Sequence, residues 1–151
     1  MDSLKKALFP HCYEQLERKQ EGFSYALLNL ESDRSSETKS SAGDKYETSR
    51  EMMQQEMDKL VARIRAVESD KQTLQNLQEF KASSHVSLGS LIKTDKGIFW
   101  LAISMGRVQF QDEIEVMVIS PESPIGNALM HKKVGDIISV SGNQFQILEI
   151  A

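Results

Sequence analysis

The stretch SPIGNALMHKKVGDIISVSGNQFQILEI, residues 123–150, decides how the second half of this 151-residue chain folds. Its opening reads as a short helix. Ser123 stands at the cap, Pro124 lies in the first turn and Gly135 lies past the end. A serine oxygen satisfies an amide that has no intrahelical partner, and proline at the first position has no amide to lose. From Ile137 the pattern changes to paired strands around Ser141-Gly142-Asn143, a hairpin signal. Upstream, HVSLGSLIKTDKGIFWLAIS (85–104) alternates apolar and polar residues around a Lys-Thr-Asp-Lys-Gly turn, and QDEIEVMVIS (111–120) supplies a further strand. Four to six strands and one short helix define a compact α+β domain over 84–151.

The first half has another period. Residues 46–79 contain neither glycine nor proline. Tyr46, Met53, Met57, Leu60, Ile64, Val67 and Leu74 follow alternating steps of three and four, with Lys71 the one polar residue in the seam. That step is the period of a coiled-coil stripe. A helix of this span is ~50 Å long and is expected to project from a small globule. Its partner is 11–30, where Leu8, Cys12, Leu16, Phe23, Leu27 and Leu30 recur more loosely, interrupted by Lys19 and Gly22. Pro10 is expected to start that helix or to kink a shorter one before it. Residues 31–45 carry Ser32, Ser35, Ser36, Ser40, Ser41 and Gly43 and read as a long loop. The fold class is therefore α+β: an antiparallel helical hairpin over 1–80, then an antiparallel sheet domain with a short helix over 84–151.

Charge narrows the function. The formal net charge is −4, which argues against a sequence-independent nucleic-acid binder with its basic face. Residues 1–80 hold 15 acidic and 12 basic side chains, against 7 and 6 in 81–151, as a solvated helical element would. Cys12 is the single cysteine, so no intramolecular disulfide forms, and a reduced, cytoplasmic setting is expected. There is no apolar run of signal or transmembrane length. His11, His85 and His131 are scattered, without metal-ligand spacing. Adjacent His11 and Cys12 face different sides of a helix, which leaves Cys12 a small buried apolar role. No phosphate-cradling glycine loop is present, so no intrinsic cofactor and no enzyme pocket are expected.

The C-terminal stretch resembles the closing segment of the bacterial Gre transcript-cleavage factors. The matches are Ser123, Pro124, Ile125, Gly126, Ala128, Leu129 and Met130, then Lys132, Lys133, Val134, Gly135 and Asp136, and finally Ile147, Leu148, Glu149 and Ile150. VSLGSLI at 86–92 is similar to the first strand of that domain. The resemblance implies an FKBP-like domain that grips RNA polymerase, with Ser123, Pro124 and Ile125 near the contact. It implies a coiled-coil finger that enters the polymerase secondary channel and can reach nascent RNA indirectly. It further implies tip carboxylates that share a catalytic magnesium with polymerase, which then cleaves backtracked RNA. The factor would itself be a monomer and no enzyme.

The candidate tip carboxylates here are Glu37, Asp44 and Glu47, with Asp44 and Glu47 the pair for a shared magnesium. Asp44-Lys45-Tyr46-Glu47 keeps the family's three-residue step but sits closer to the tyrosine. Aligning Tyr46 with the family tyrosine puts the usual acidic positions on Lys39 and Ala42. Two other functions stay open: a channel regulator that does not stimulate cleavage, and a coiled-coil interaction module that self-associates. Acidic residues in a first helical turn are also favoured simply by the helix dipole.

Overall fold

The computed structural model describes residues 1–37, 43–78, 83–110 and 113–151, with the backbone alone at 37 and 43–46. In chain order the elements are α1 (Asp2–Glu37), α2 (Gly43–Asn76), β1 (Leu91–Thr94), β2 (Gly97–Leu101), β3 (Gly106–Phe110), β4 (Ile114–Ile119), α3 (Pro124–Leu129), β5 (Ile137–Val140) and β6 (Asn143–Ile150). The α+β class is as the sequence implies. The chain forms two compact units: Glu14–Lys71, and Met1–Tyr13 together with Gln72–Ala151. Among the described residues no helix is long and apolar enough to cross a membrane.

The Glu14–Lys71 unit is a pair of helical segments. Along α2, Leu60 and Val67 are buried and Met53, Met57, Ile64 and Lys71 are half-buried, while most residues between them are exposed. On α1, Leu16 is buried, and Gln20, Phe23, Leu27 and Leu30 are half-buried. Cross-helix contacts run in opposite senses. Gln20 bonds Glu68 at 3.3 Å, the Arg63 guanidinium lies 5.8 Å from the Phe23 ring, and Arg34 bonds Gln54 at 3.1 Å. As residue numbers rise on α1 they fall on α2, which is the expected antiparallel pairing. Outer charges are tied along each helix, with Arg18 to Glu14 at 2.7 Å and Lys59 to Glu56 at 3.1 Å. Such exposed i, i+3 and i, i+4 pairs contribute only a few tenths of a kcal/mol each, about 0.2–0.5.

Three sequence expectations change here. First, 31–37 is helix rather than loop. The Ser35 hydroxyl donates to the Glu31 carbonyl at 3.1 Å, and the Ser36 hydroxyl to the Ser32 carbonyl at 3.2 Å. This back-bonding to residue i−4 is how serine lives inside a helix. Second, α2 begins at Gly43, three residues ahead of the expected start, and ends at Asn76. Third, α1 begins at Asp2 and runs through Pro10 instead of starting there. Proline removes one backbone bond from such a helix without ending it.

The other unit holds a six-stranded sheet in the order β3-β4-β2-β1-β6-β5. All neighbours are antiparallel except β2 and β4, which run parallel with Trp100 opposite Val118. An all-antiparallel sheet was expected; β4 instead enters beside β2 after the β3 edge strand, antiparallel to β3 with Val108 opposite Val116. Ser141 (φ 51) and Gly142 (φ 79) join β5 to β6 as a two-residue turn between Val140 and Asn143. Two successive positive φ values match the twist of the flanking strands. Residues 86–90, expected as the start of β1, are not strand. Gly89 has a φ of 93°, and the Ser87 amide donates to Ser90 Oγ at 3.0 Å, closing a turn. Val86 instead exchanges backbone bonds with His131 and Lys132, both 2.8 Å.

The core of this unit is Val86, Ile92, Phe99, Leu101, Ile119, Leu129, Ile138 and Ile147, drawn from β1, β2, β4, β5, β6, α3 and the segment ahead of β1. Phe99 meets Phe145 edge-on at 5.8 Å, and the Trp100 indole donates to the Gly89 carbonyl at 3.3 Å. These aromatics are packing residues. From α1, Leu8 and Cys12 are fully buried, and the His11 ring stands edge-on to Phe110 at 5.7 Å. Burial pushes the Cys12 thiol up to about 11, as an apolar role requires.

Candidate functional site

Two places carry the residues singled out by sequence. The first is the start of α3. Ser123 adopts an extended conformation, φ −66° and ψ 152°, as a cap residue should. Its Oγ accepts the Gly126 amide at 3.0 Å, and its hydroxyl proton is given to the Ser120 carbonyl at 2.7 Å. The cap therefore ties α3 back to the end of β4, and Ser123 has no proton left to offer a partner. Pro124 occupies the first helical position and is exposed, while Ile125 is half-buried and packs against the core. Of the three expected contact residues, Pro124 is thus the one presented to solvent.

Gly126 matters for a reason the sequence does not announce. It is buried, and a Cβ there would land on the Ser120 carbonyl oxygen and lie 2.8 Å from Ser123 Oγ. Only a residue without a side chain lets α3 sit this close to the end of β4. The helix is shorter than expected: it stops at Leu129, and His131 takes a left-handed φ of 64°. Gly135, expected just past the helix end, lies further on, with φ 94° and its amide bonded to the Ile147 carbonyl at 2.8 Å. Along α3 and β5 runs a groove of about 370 Å³ lined by Asn127, Ala128, Lys132, Ile137 and Ser139. Ile137 is 60% exposed and Val134 56%, more apolar surface than a strand and its turn usually leave in water.

The second place is the turn end of the helical hairpin. The side chains of Glu37 and Asp44, and all of residues 38–42, lie outside the described residues. The backbone of α2 from Gly43 puts Asp44 and Glu47 one helical turn apart. Glu47 is exposed and shares a groove of about 380 Å³ with Arg34, Arg50, Glu51 and Gln54. The same two arginines line a neighbouring groove with Glu31, Ser35 and Met57. Sequence reading missed this pair. Arg50 lies three residues after Glu47 and was visible in principle. Arg34 joins them only through the hairpin register, which no local pattern reveals. Among the described residues no three carboxylate, imidazole or thiol groups converge as a cation site.

Residues 108–151 match the family model described as transcription elongation factor, GreA/GreB, C-terminal. The match contains the whole Ser123 cap, α3 and the β5–β6 hairpin. Among solved structures, that of the transcription factor Gfh1 is similar, at 24% identity over 91% of this chain and 92% of that one, with a TM-score of 0.36. No curated protein matches the chain.

Proposed function

We propose that this protein is a Gre-type transcription factor that binds RNA polymerase through its C-terminal domain and presents the helical hairpin to the secondary channel. The observation that carries this reading is the family match over 108–151, which coincides with a capped and tightly packed α3. The contact face in this reading is exposed Pro124 together with the α3–β5 groove and its exposed Ile137. Ser123 and Gly126 hold that face in place from behind. The protein acts on the polymerase and is not itself an enzyme, as is so for factors of this family. It works as a monomer, in the cytoplasm, and approaches nascent RNA only through the channel.

A second reading is favoured by one observation. Glu47 lines one groove with Arg34 and Arg50, whose positive charge disfavours a cation bound beside it. A magnesium held there would need Asp44 and aspartates of the polymerase. The protein then regulates transcription from the channel without stimulating cleavage. Self-association through the coiled coil is the reading from outside this class.

Two measurements test these readings together. Pulldown of RNA polymerase by the full chain, with Pro124→Ala as the comparison, tests the contact. Failure of the wild-type chain to bind polymerase overturns the proposal. A cleavage assay on stalled elongation complexes then separates the two forms of it. Cleavage that is stimulated by the wild type and lost in Asp44→Ala/Glu47→Ala supports a cleavage factor. Binding without stimulation at any magnesium concentration supports the regulator.

A further inference from the structure

The hairpin seam contains one polar layer. Lys71 is the polar residue of the α2 seam, and its side chain is only 20% exposed. Its ammonium donates to Gln20 Oε1 at 3.1 Å and lies 3.7 Å from Glu17 Oε1. Gln20 occupies the matching seam position of α1, and its amide donates in turn to Glu68 Oε1 at 3.3 Å. One cation and one amide fill a level that leucine or valine fills elsewhere, and each finds its partner on the other helix. The layers around it are apolar, with Leu16 and Val67 buried and Phe23 and Ile64 half-buried.

We propose that the Gln20–Lys71 layer fixes the register of the antiparallel hairpin and keeps the coiled coil within one chain. Apolar seam residues are interchangeable, because a leucine packs nearly as well against the next apolar layer. A buried ammonium is not interchangeable, since it needs an acceptor wherever it is placed. Slip the helices by one heptad in one direction and Lys71 faces Leu27, with Gln20 against Gln78. Slip them the other way and Lys71 faces Tyr13, with Gln20 against Ile64. In a parallel two-chain coil Lys71 meets a second Lys71, two like charges at one level. Only the observed register gives the ammonium both an amide oxygen and a carboxylate. Polar residues at single seam positions specify register and strand number in this way, at some cost in stability. The inference holds whether or not the chain acts on polymerase.

The test uses the full chain with spin labels at Glu21→Cys and Arg65→Cys, both exposed positions on facing helices. Cys12 is fully buried with its thiol pushed up to about 11, so it does not compete for the label. A heptad slip moves one label by ~10 Å along the helix axis relative to the other. Wild type should give one narrow distance and a monomer mass by light scattering at every concentration. Gln20→Leu/Lys71→Leu should melt at a higher temperature, yet show a second distance population or a doubled mass as concentration rises. Gln20→Lys/Lys71→Gln, which exchanges the two groups but keeps them paired, should return the single distance and the monomer. The proposal is overturned if the double leucine variant keeps one distance and a monomer mass. It is equally overturned if that variant loses its helix, or if the exchanged variant is as mixed as the leucine one.

Discussion

Gly126→Ala and Gly22→Ala should change stability in opposite directions. In a helix, replacing glycine by alanine ordinarily stabilises by up to about 1 kcal/mol, because alanine has less backbone freedom to lose. Gly22 lies within α1, and a Cβ built there meets nothing within 4 Å. Gly22→Ala should therefore gain something near that amount. At Gly126 the added methyl meets the Ser120 carbonyl and Ser123 Oγ. Backbone cannot move aside as a flexible side chain can. Relief requires lifting α3 from the end of β4, which stretches the 2.7 Å Ser123–Ser120 bond and the 3.0 Å cap bond. Overpacking costs about 1–3 kcal/mol and loss of a serine cap about 0.5–2 kcal/mol. Against a helix-propensity gain near 1 kcal/mol, the net loss is roughly 2 kcal/mol. For a domain of this size that lowers the melting temperature by on the order of 10 °C.

The assay can assign the loss to the right unit. Trp100 is the single tryptophan, it is 2% exposed, and it lies in the sheet unit. Its fluorescence follows unfolding of that unit, whereas the far-ultraviolet helix signal is dominated by α1 and α2. Gly126→Ala should shift the tryptophan transition downward, and Gly22→Ala should raise the helix transition. If Gly126→Ala melts at or above the wild-type temperature by tryptophan fluorescence, the close approach of α3 to Ser120 is not what holds this helix.

Leu60→Asp should abolish the paired-helix signal in circular dichroism, because it puts an unpaired charge at a seam position only 7% exposed, at a cost of several kcal/mol, roughly 3 or more. Retention of full helicity would refute the seam assignment. Asp70→Asn should raise the melting temperature at neutral pH and lose that advantage in acid. Burial raises the Asp70 carboxyl above its ordinary range, with Lys19 opposing, so its folded form binds a proton more readily than its unfolded form. The native carboxylate therefore weakens the fold above its titration range, and that penalty disappears as pH falls through it. A pH-independent difference between Asp70→Asn and wild type would count against this. Pro124→Ala should weaken polymerase capture by the full chain while leaving the tryptophan transition close to wild type. The full chain is needed because Met1–Tyr13 and Gln72–Leu77 belong to the same compact unit as the sheet, with Leu8, Cys12 and Leu74 fully buried in it.

Period was the most legible feature of this sequence. The seam of α2 could be read from Met53 to Leu74 because a 3–4 step is a local property of the chain and needs no knowledge of the partner. The same is true of the Ser123-Pro124 cap and the Ser141-Gly142 turn, where residue chemistry dictates backbone conformation. Non-local facts were not legible. The parallel pairing of β2 with β4 depends on which edge the chain returns to, and nothing in either strand records it. Lys71 was visible as a polar seam residue, but Gln20 was not, because Lys19 and Gly22 blurred the weaker period of α1. Its identity as the partner follows only once the register is known.

The hairpin turn shows how a composition argument can mislead. Five serines and a glycine between 32 and 43 read as a long loop, and a long loop between helices calls for a functional reason. Helix in fact reaches Glu37 and resumes at Gly43. The interval between them, 38–42, is of ordinary length for a helix–helix connection, about 2–8 residues. Length therefore no longer argues that the tip is more than a connector. Beside it, Glu47 and Arg50 on α2 and Arg34 on α1 line one groove. If the tip acts, it acts through side chains that the fold assembles rather than through the serine-rich letters that first drew attention to it.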